Sequence, residues 1–153
     1  MLFRSVRAPH VIGRSPDHVW RTYFTWLGEA AACGMFDVLS HPDLVKHWGH
    51  ERPWPERDLR FYYDLAMEQI AESGVAVEVS TAGLRKPVGE IYPSSALLEM
   101  LVDAGVPLAL SSDAHVPDQL GFRYEEAVQL LSDHGVRELA VFEGRERRME
   151  PIG

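Results

Sequence analysis

Four short polar stretches carry the residue types in this sequence that could do chemistry. They are His41-Pro42-Asp43, His47-Trp48-Gly49-His50, Ser80-Thr81-Ala82-Gly83-Leu84-Arg85-Lys86-Pro87 and Ser111-Ser112-Asp113-Ala114-His115. A carboxylate and an imidazole two residues apart can face one side of an extended segment, and neutral imidazole is a common ligand for zinc, iron or manganese. Asp113 and His115 have that spacing, and His41 is a candidate third metal ligand. Taken singly, Asp113 reads as well as a helix cap, His115 as a loop residue and His41 as a structural histidine. Arg85 and Lys86, beside Gly83, are candidates for binding a substrate's phosphate, because a guanidinium can grip phosphate oxygens through two donors. A solvated pair on a surface loop accounts for them equally well, although Pro87 and the Tyr92-Pro93 turn point to a fixed loop. His47-x-x-His50 has loose metal spacing. With Trp48 and Trp54 nearby it reads better as a lid or substrate-contacting loop. No protein nucleophile is evident.

These residues need elements to bring them together, and one pattern recurs along the chain. A helix-like segment ends at a glycine and a short apolar strand follows, at Gly34, Gly74, Gly105 and Gly135. Glycine relieves the left-handed conformation that commonly closes a helix. Ser15-Pro16 suits a helix start, and Val19, Trp20, Phe24, Leu27 and Ala31 continue at helical spacing. Pro55 to Ser73 and Glu125 to His134 have the same spacing, and Ser94 or Ser95 can cap a further helix carrying Leu97, Leu98, Leu101 and Val102. Strands apolar on both faces and alternating with helices predict an α/β fold with a parallel sheet. An open α/β sandwich and a segment of a barrel both satisfy this pattern. A barrel additionally places polar residues just after each strand, where His41, the Arg85 loop and Asp113-x-His115 fall.

Composition sets outer limits. The chain has 153 residues, 46% hydrophobic and 25% charged, which suits one domain with a real core. Its net charge of -8 disfavours binding to nucleic acid or an anionic membrane through bulk charge. Cys33 is the single cysteine, so no internal disulfide can form. With no apolar run of membrane-spanning length and no apolar signal core in Met1 to Arg14, the expected location is the cytoplasm.

Phe36 to Lys46, Glu78 to Glu90 with Tyr92-Pro93-Ser94, and Ser111 to His115 together resemble the C-terminal half of histidinol-phosphatases of the PHP (polymerase and histidinol phosphatase) superfamily. The resemblance implies a partial (β/α)7 barrel over 15–145, after an irregular segment 1–14 and before a tail 146–153. It implies up to three divalent metal ions, Zn, Mn or Fe, with His41, Asp113 and His115 each ligating one. Arg85 would hold the phosphate of a small phosphorylated substrate, L-histidinol phosphate, which metal-activated water would hydrolyse.

The sequence departs from the family in ways that bear on this expectation. It has no His-x-His, which opens the family's first strand, so the N-terminal half of the barrel is expected to be absent. Arg7 in Ser5-Val6-Arg7 stands where a ligand histidine is found, His10 is a shifted alternative, and Ser80 replaces a frequent asparagine. Few donors remain for several ions, and a half barrel leaves strand edges open to self-association. Two further readings follow: a non-catalytic remnant or subunit, and a phosphoesterase acting on another phosphoester.

Overall fold

A computed structural model describes residues 13–152. Arg7 and His10 lie outside the described residues. The elements, in order, are α1 (Pro16–Ala32), β1 (Val38–Leu39), α2 (Leu59–Ser73), β2 (Ala76–Ser80), α3 (Ser95–Asp103), β3 (Leu108–Ser111), α4 (Tyr124–Asp133), β4 (Glu138–Glu143) and β5 (Glu146–Pro151). Among the described residues no helix is long and apolar enough to cross a membrane.

Local chemistry sets the helix ends. The Ser15 hydroxyl accepts from the His18 amide at 3.2 Å, and Pro16 follows at the first helical position. The second helix starts at Leu59 rather than Pro55, because Asp58 supplies the cap by accepting from the Arg60 amide at 2.9 Å. Ser94 occupies the cap position of α3, but its hydroxyl bonds to the Tyr63 phenol at 2.9 Å instead. Gly34, Gly74, Gly105 and Gly135 have φ of 70°, 70°, 69° and 79°, the left-handed region expected of residues that close helices.

The fold is α/β. β1, β2 and β3 form a parallel three-stranded sheet in that order, with Val38 opposite Ala76 and Ser80 opposite Ser111. β2 is central and buried on both faces, as its near-continuous apolar run requires. Trp20 and Phe24 of α1 pack with Tyr62, Tyr63, Ala66 and Ile70 of α2. The core continues through Val77 and Val79 to Leu97, Leu98 and Leu101 of α3. Burial of these large side chains is the main favourable term holding the layers together.

The chain after α4 differs from the sequence expectation. The fourth strand does not hydrogen-bond to the parallel sheet, and the residues read as a tail form a strand. β4 and β5 pair antiparallel from Glu138 opposite Pro151 to Glu143 opposite Glu146. The connecting Gly144 and Arg145 both have positive φ, 55° and 70°, which is the turn whose twist suits a two-residue hairpin. β5 is exposed throughout, so backbone pairing defines it rather than an apolar pattern. Arg145 donates to both Asp37 oxygens, at 2.8 and 3.1 Å, and Arg147 donates to the Gly74 carbonyl at 2.7 Å. The hairpin thereby crosses the entry ends of β1 and β2 like a strap.

Candidate functional site

Because the three strands run parallel, the segments after them gather at one end of the sheet. His41 follows β1, the turn Thr81–Arg85 follows β2, and Asp113 and His115 follow β3. His41 and Asp113 both have left-handed backbone, with φ of 35° and 46°. Each such non-glycine conformation costs on the order of 1–3 kcal/mol and persists only where its surroundings over-determine it.

Those surroundings are specific at His41. Its amide donates to Glu78 Oε2 at 2.8 Å, and its carbonyl accepts from the Leu44 amide at 3.0 Å. The Tyr23 hydroxyl accepts from the Leu44 amide at 3.1 Å and donates to the His41 carbonyl at 3.4 Å. A hydrogen bond to a charged group contributes about 1.5–3 kcal/mol. Glu78→Ala is therefore expected to lower stability by about 1.5 kcal/mol in urea unfolding. An unchanged midpoint would show that the His41 turn holds itself.

The Asp113 loop is braced from a different strand end. Arg85 Nη2 donates to the Ser112 carbonyl at 2.8 Å and the Asp113 carbonyl at 3.2 Å. Its guanidinium lies 5.1 Å from the Phe122 ring centroid. Arg85 Nη1 is buried with no partner among the described residues. Ser111 Oγ accepts from the Asp113 amide at 3.2 Å, and Ser112 Oγ accepts from the Gly121 amide at 3.3 Å. Lys86, the next residue, is exposed.

The structure brings His41 and Asp113 together, with Nε2 and Oδ2 3.9 Å apart. That is too long for a hydrogen bond. It suits two donors of one ion, rather than the one ion each that the resemblance implies, since zinc-to-ligand distances of about 2.1 Å place donors roughly 3–4 Å apart. His115 turns outward. Its side chain is 77% exposed, and Nδ1 lies 4.0 Å from Asp113 Oδ1. Nδ1 is 2.8 Å from the Asp113 carbonyl. A carbonyl can only accept, so Nδ1 carries the proton and, in the neutral ring, Nε2 keeps its lone pair for a ligand. Among the described residues no group of three or more His, Cys, Asp or Glu side chains is arranged to hold a metal ion. The donor chemistry of His41 and Asp113 fits a divalent ion.

No family model matches this chain. A protein of Deinococcus radiodurans named "Probable histidinol-phosphatase" is 38% identical over 133 residues, 87% of this chain and 48% of that protein. A "Probable histidinol-phosphatase" of Schizosaccharomyces pombe is 37% identical over 136 residues, 86% of this chain and 44% of that protein. The histidinol-phosphatase of Bacillus subtilis is 34% identical over 89 residues, 57% of this chain and 33% of that protein. The chain is similar to histidinol-phosphatases. It spans about half the length of the first two of these relatives.

Around the strand ends of this histidinol-phosphatase-like chain lie residues that sequence reasoning passed over or read only as parts of a loop or turn. Tyr92 is buried, its ring T-shaped to that of His41 at 6.3 Å between centroids and its hydroxyl 3.3 Å from His47 Nδ1. Burial pushes the Tyr92 phenol up, helped by the Asp43 and Asp113 carboxylates. Burial holds His47 down, with Lys86 adding to it and Glu51 opposing. Both groups are therefore neutral near pH 7. His47 belongs to the aromatic loop, which Gly49 seats on Pro87 and Val88, while His50 is exposed. Lys46 is fully buried beside Asp43, whose carboxyl is pushed up by burial against the opposing pull of Lys46 and the Ser94 amide. Glu78 had a signal in the sequence, a single charge inside the apolar run Val77-Glu78-Val79. The sizeable cleft of about 620 Å³ lined by Gly105, Pro107, Arg137, Arg147 and Met149 lies at the entry end of β3, away from these residues.

Proposed function

We propose that this chain carries part of a metal-dependent phosphate monoester hydrolase of histidinol-phosphatase type, acting on L-histidinol phosphate. The observation that carries the reading is the 3.9 Å approach of His41 Nε2 and Asp113 Oδ2 on two strained backbone positions at the ends of parallel strands. The similarity to histidinol-phosphatases supports it.

His41 and Asp113 would hold a divalent ion, Zn, Mn or Fe, with His115 Nε2 free to ligate a further one. Such an ion supplies water of lowered pKa and draws charge from phosphoryl oxygens. Among the described residues Arg85 Nη1 is a buried donor without a protein partner and would be offered to a phosphate oxygen, and exposed Lys86 would add positive charge beside it. Tyr92 and His47, both neutral, add polar lining without competing for the anion.

The test is phosphate release from histidinol phosphate with added Mn, Zn or Fe, against a panel of other phosphoesters. Release that a chelator abolishes and Arg85→Ala lowers at least about 10-fold is the expected result. Unchanged release in Arg85→Ala would remove its phosphate role, and preference for another phosphoester would correct the substrate. A second reading, a non-catalytic histidinol-phosphatase-like subunit, is favoured by the few donors that converge among the described residues. Trace metal content together with no phosphate release would establish it.

A further inference from the structure

Lys46 stands out among the charged groups that the proposed chemistry does not use. Its side chain is 0% exposed, as is that of Asp43. Lysine is almost never fully buried unless paired. The ammonium lies 3.1 Å from Asp43 Oδ2, and donates to Glu90 Oε2 and the Ile91 carbonyl, each at 3.0 Å. It also sits 5.5 Å from the Tyr92 ring centroid. Asp43 Oδ2 is shared, because it accepts from the Ser94 amide at 2.8 Å, while Asp43 Oδ1 is buried without a partner among the described residues.

These contacts join two segments far apart in sequence. One is the turn that starts at His41 and contains Asp43 and Lys46. The other runs from Glu90 through Tyr92 to Ser94 at the start of α3. Tyr92 faces His41 from that second segment. A buried ion pair is a poor way to gain stability alone, since apolar residues of similar volume often serve as well or better. It does fix geometry, because each contact is directional and the alternatives leave a charge unpaired.

We propose that Lys46 is a positioning residue: its buried ammonium clamps the His41 turn to the Glu90–Tyr92 segment and thereby sets where His41 and Tyr92 meet. The inference rests on the reading of His41 as a metal ligand. Groups that orient a ligand from outside the coordination sphere typically change metal affinity by about 10–100-fold when replaced.

The test separates positioning from folding by comparing Lys46→Met with the double variant Asp43→Asn/Lys46→Met in the full chain. Methionine fills the volume of the lysine stem, and asparagine can still accept from the Ser94 amide. Lys46→Met strands the Asp43 charge and is expected to lower the melting temperature, and the double variant to recover most of it. The double variant is nevertheless expected to bind Mn ion about 10-fold more weakly by calorimetry, and to exchange the Leu44 amide hydrogen faster at unchanged Val77 exchange. A double variant with native Mn affinity and native Leu44 protection would overturn the proposal, leaving Lys46 as a counter-charge to Asp43. Should the double variant not fold, Glu90→Gln removes one half-exposed arm. It is expected to shift both readouts in the same direction, and no shift in either would overturn the proposal. If the unaltered chain binds no Mn ion, the metal reading fails by itself, and the Leu44 exchange decides on the clamp.

Discussion

Asp113→Asn is expected to weaken Mn ion binding by more than about 100-fold, beyond the usual effect of replacing a group outside the coordination sphere. Asparagine has the size of aspartate and is among the few residues that tolerate left-handed backbone, so the φ of 46° is kept. Arg85 grips the carbonyl of residue 113, not its side chain, so the brace on the loop also survives. What is lost is the charge of the oxygen 3.9 Å from His41 Nε2. Divalent ions bind an anionic oxygen far better than an amide one. Calorimetry should show the loss and phosphate release should fall with it, while the melting temperature without metal stays within about 2 °C, as for most changes to partly exposed side chains. Native Mn affinity in this variant would remove Asp113 from the site.

Gly83→Ala is expected to lower stability by about 3 kcal/mol, the upper part of the range for overpacking. A Cβ at this position would stand 1.8 Å from the Glu90 carbonyl oxygen and 3.1 Å from Tyr92 Cε2. The first obstacle is backbone and cannot rotate away. The Ser80 amide donates to the Tyr92 carbonyl at 2.7 Å, and the Tyr92 amide returns a bond at 3.0 Å. The 81–85 turn is thus pressed against the segment that carries Tyr92 and must shift as a unit. For a chain of this size the fall in melting temperature is roughly 6–12 °C. Gly89→Ala is the matching control. Gly89 has φ of 63° but nothing among the described residues within 4 Å of the added carbon, so the cost is the backbone penalty of about 1–2 kcal/mol. Equal melting temperatures for the two variants would show that the turn yields freely.

The legible parts of this molecule were those written in local chemistry. Ser15-Pro16, the four helix-closing glycines and the apolar run of β2 act within a few residues, so their positions can be read without knowing the fold. Parallel strands then put His41, Arg85 and Asp113 at one end. The orientation of each side chain could not be read this way. Arg85 reads as a free cation from its neighbours, yet its Nη2 is committed to carbonyls of residues 112 and 113. Nothing in the residues next to Lys46 marks it as buried. Its burial depends on Glu90 and Ile91, 44 and 45 positions away. The hairpin was invisible for a different reason. Glu146 to Glu150 has no apolar alternation, because an exposed strand held by backbone bonds needs none.

The strap formed by that hairpin has a consequence for how the chain can assemble. Arg145 reaches Asp37 across 108 positions and Arg147 reaches Gly74 across 73, so both contacts close very large loops. Closing such loops is entropically expensive before other contacts exist, and non-local pairings form slowly. As the chain leaves the ribosome, β1, β2 and β3 are available long before Arg145 and Arg147. Arg145 and Arg147, which fasten the base of the sheet, therefore emerge only after His41, Asp113 and His115 have been synthesised.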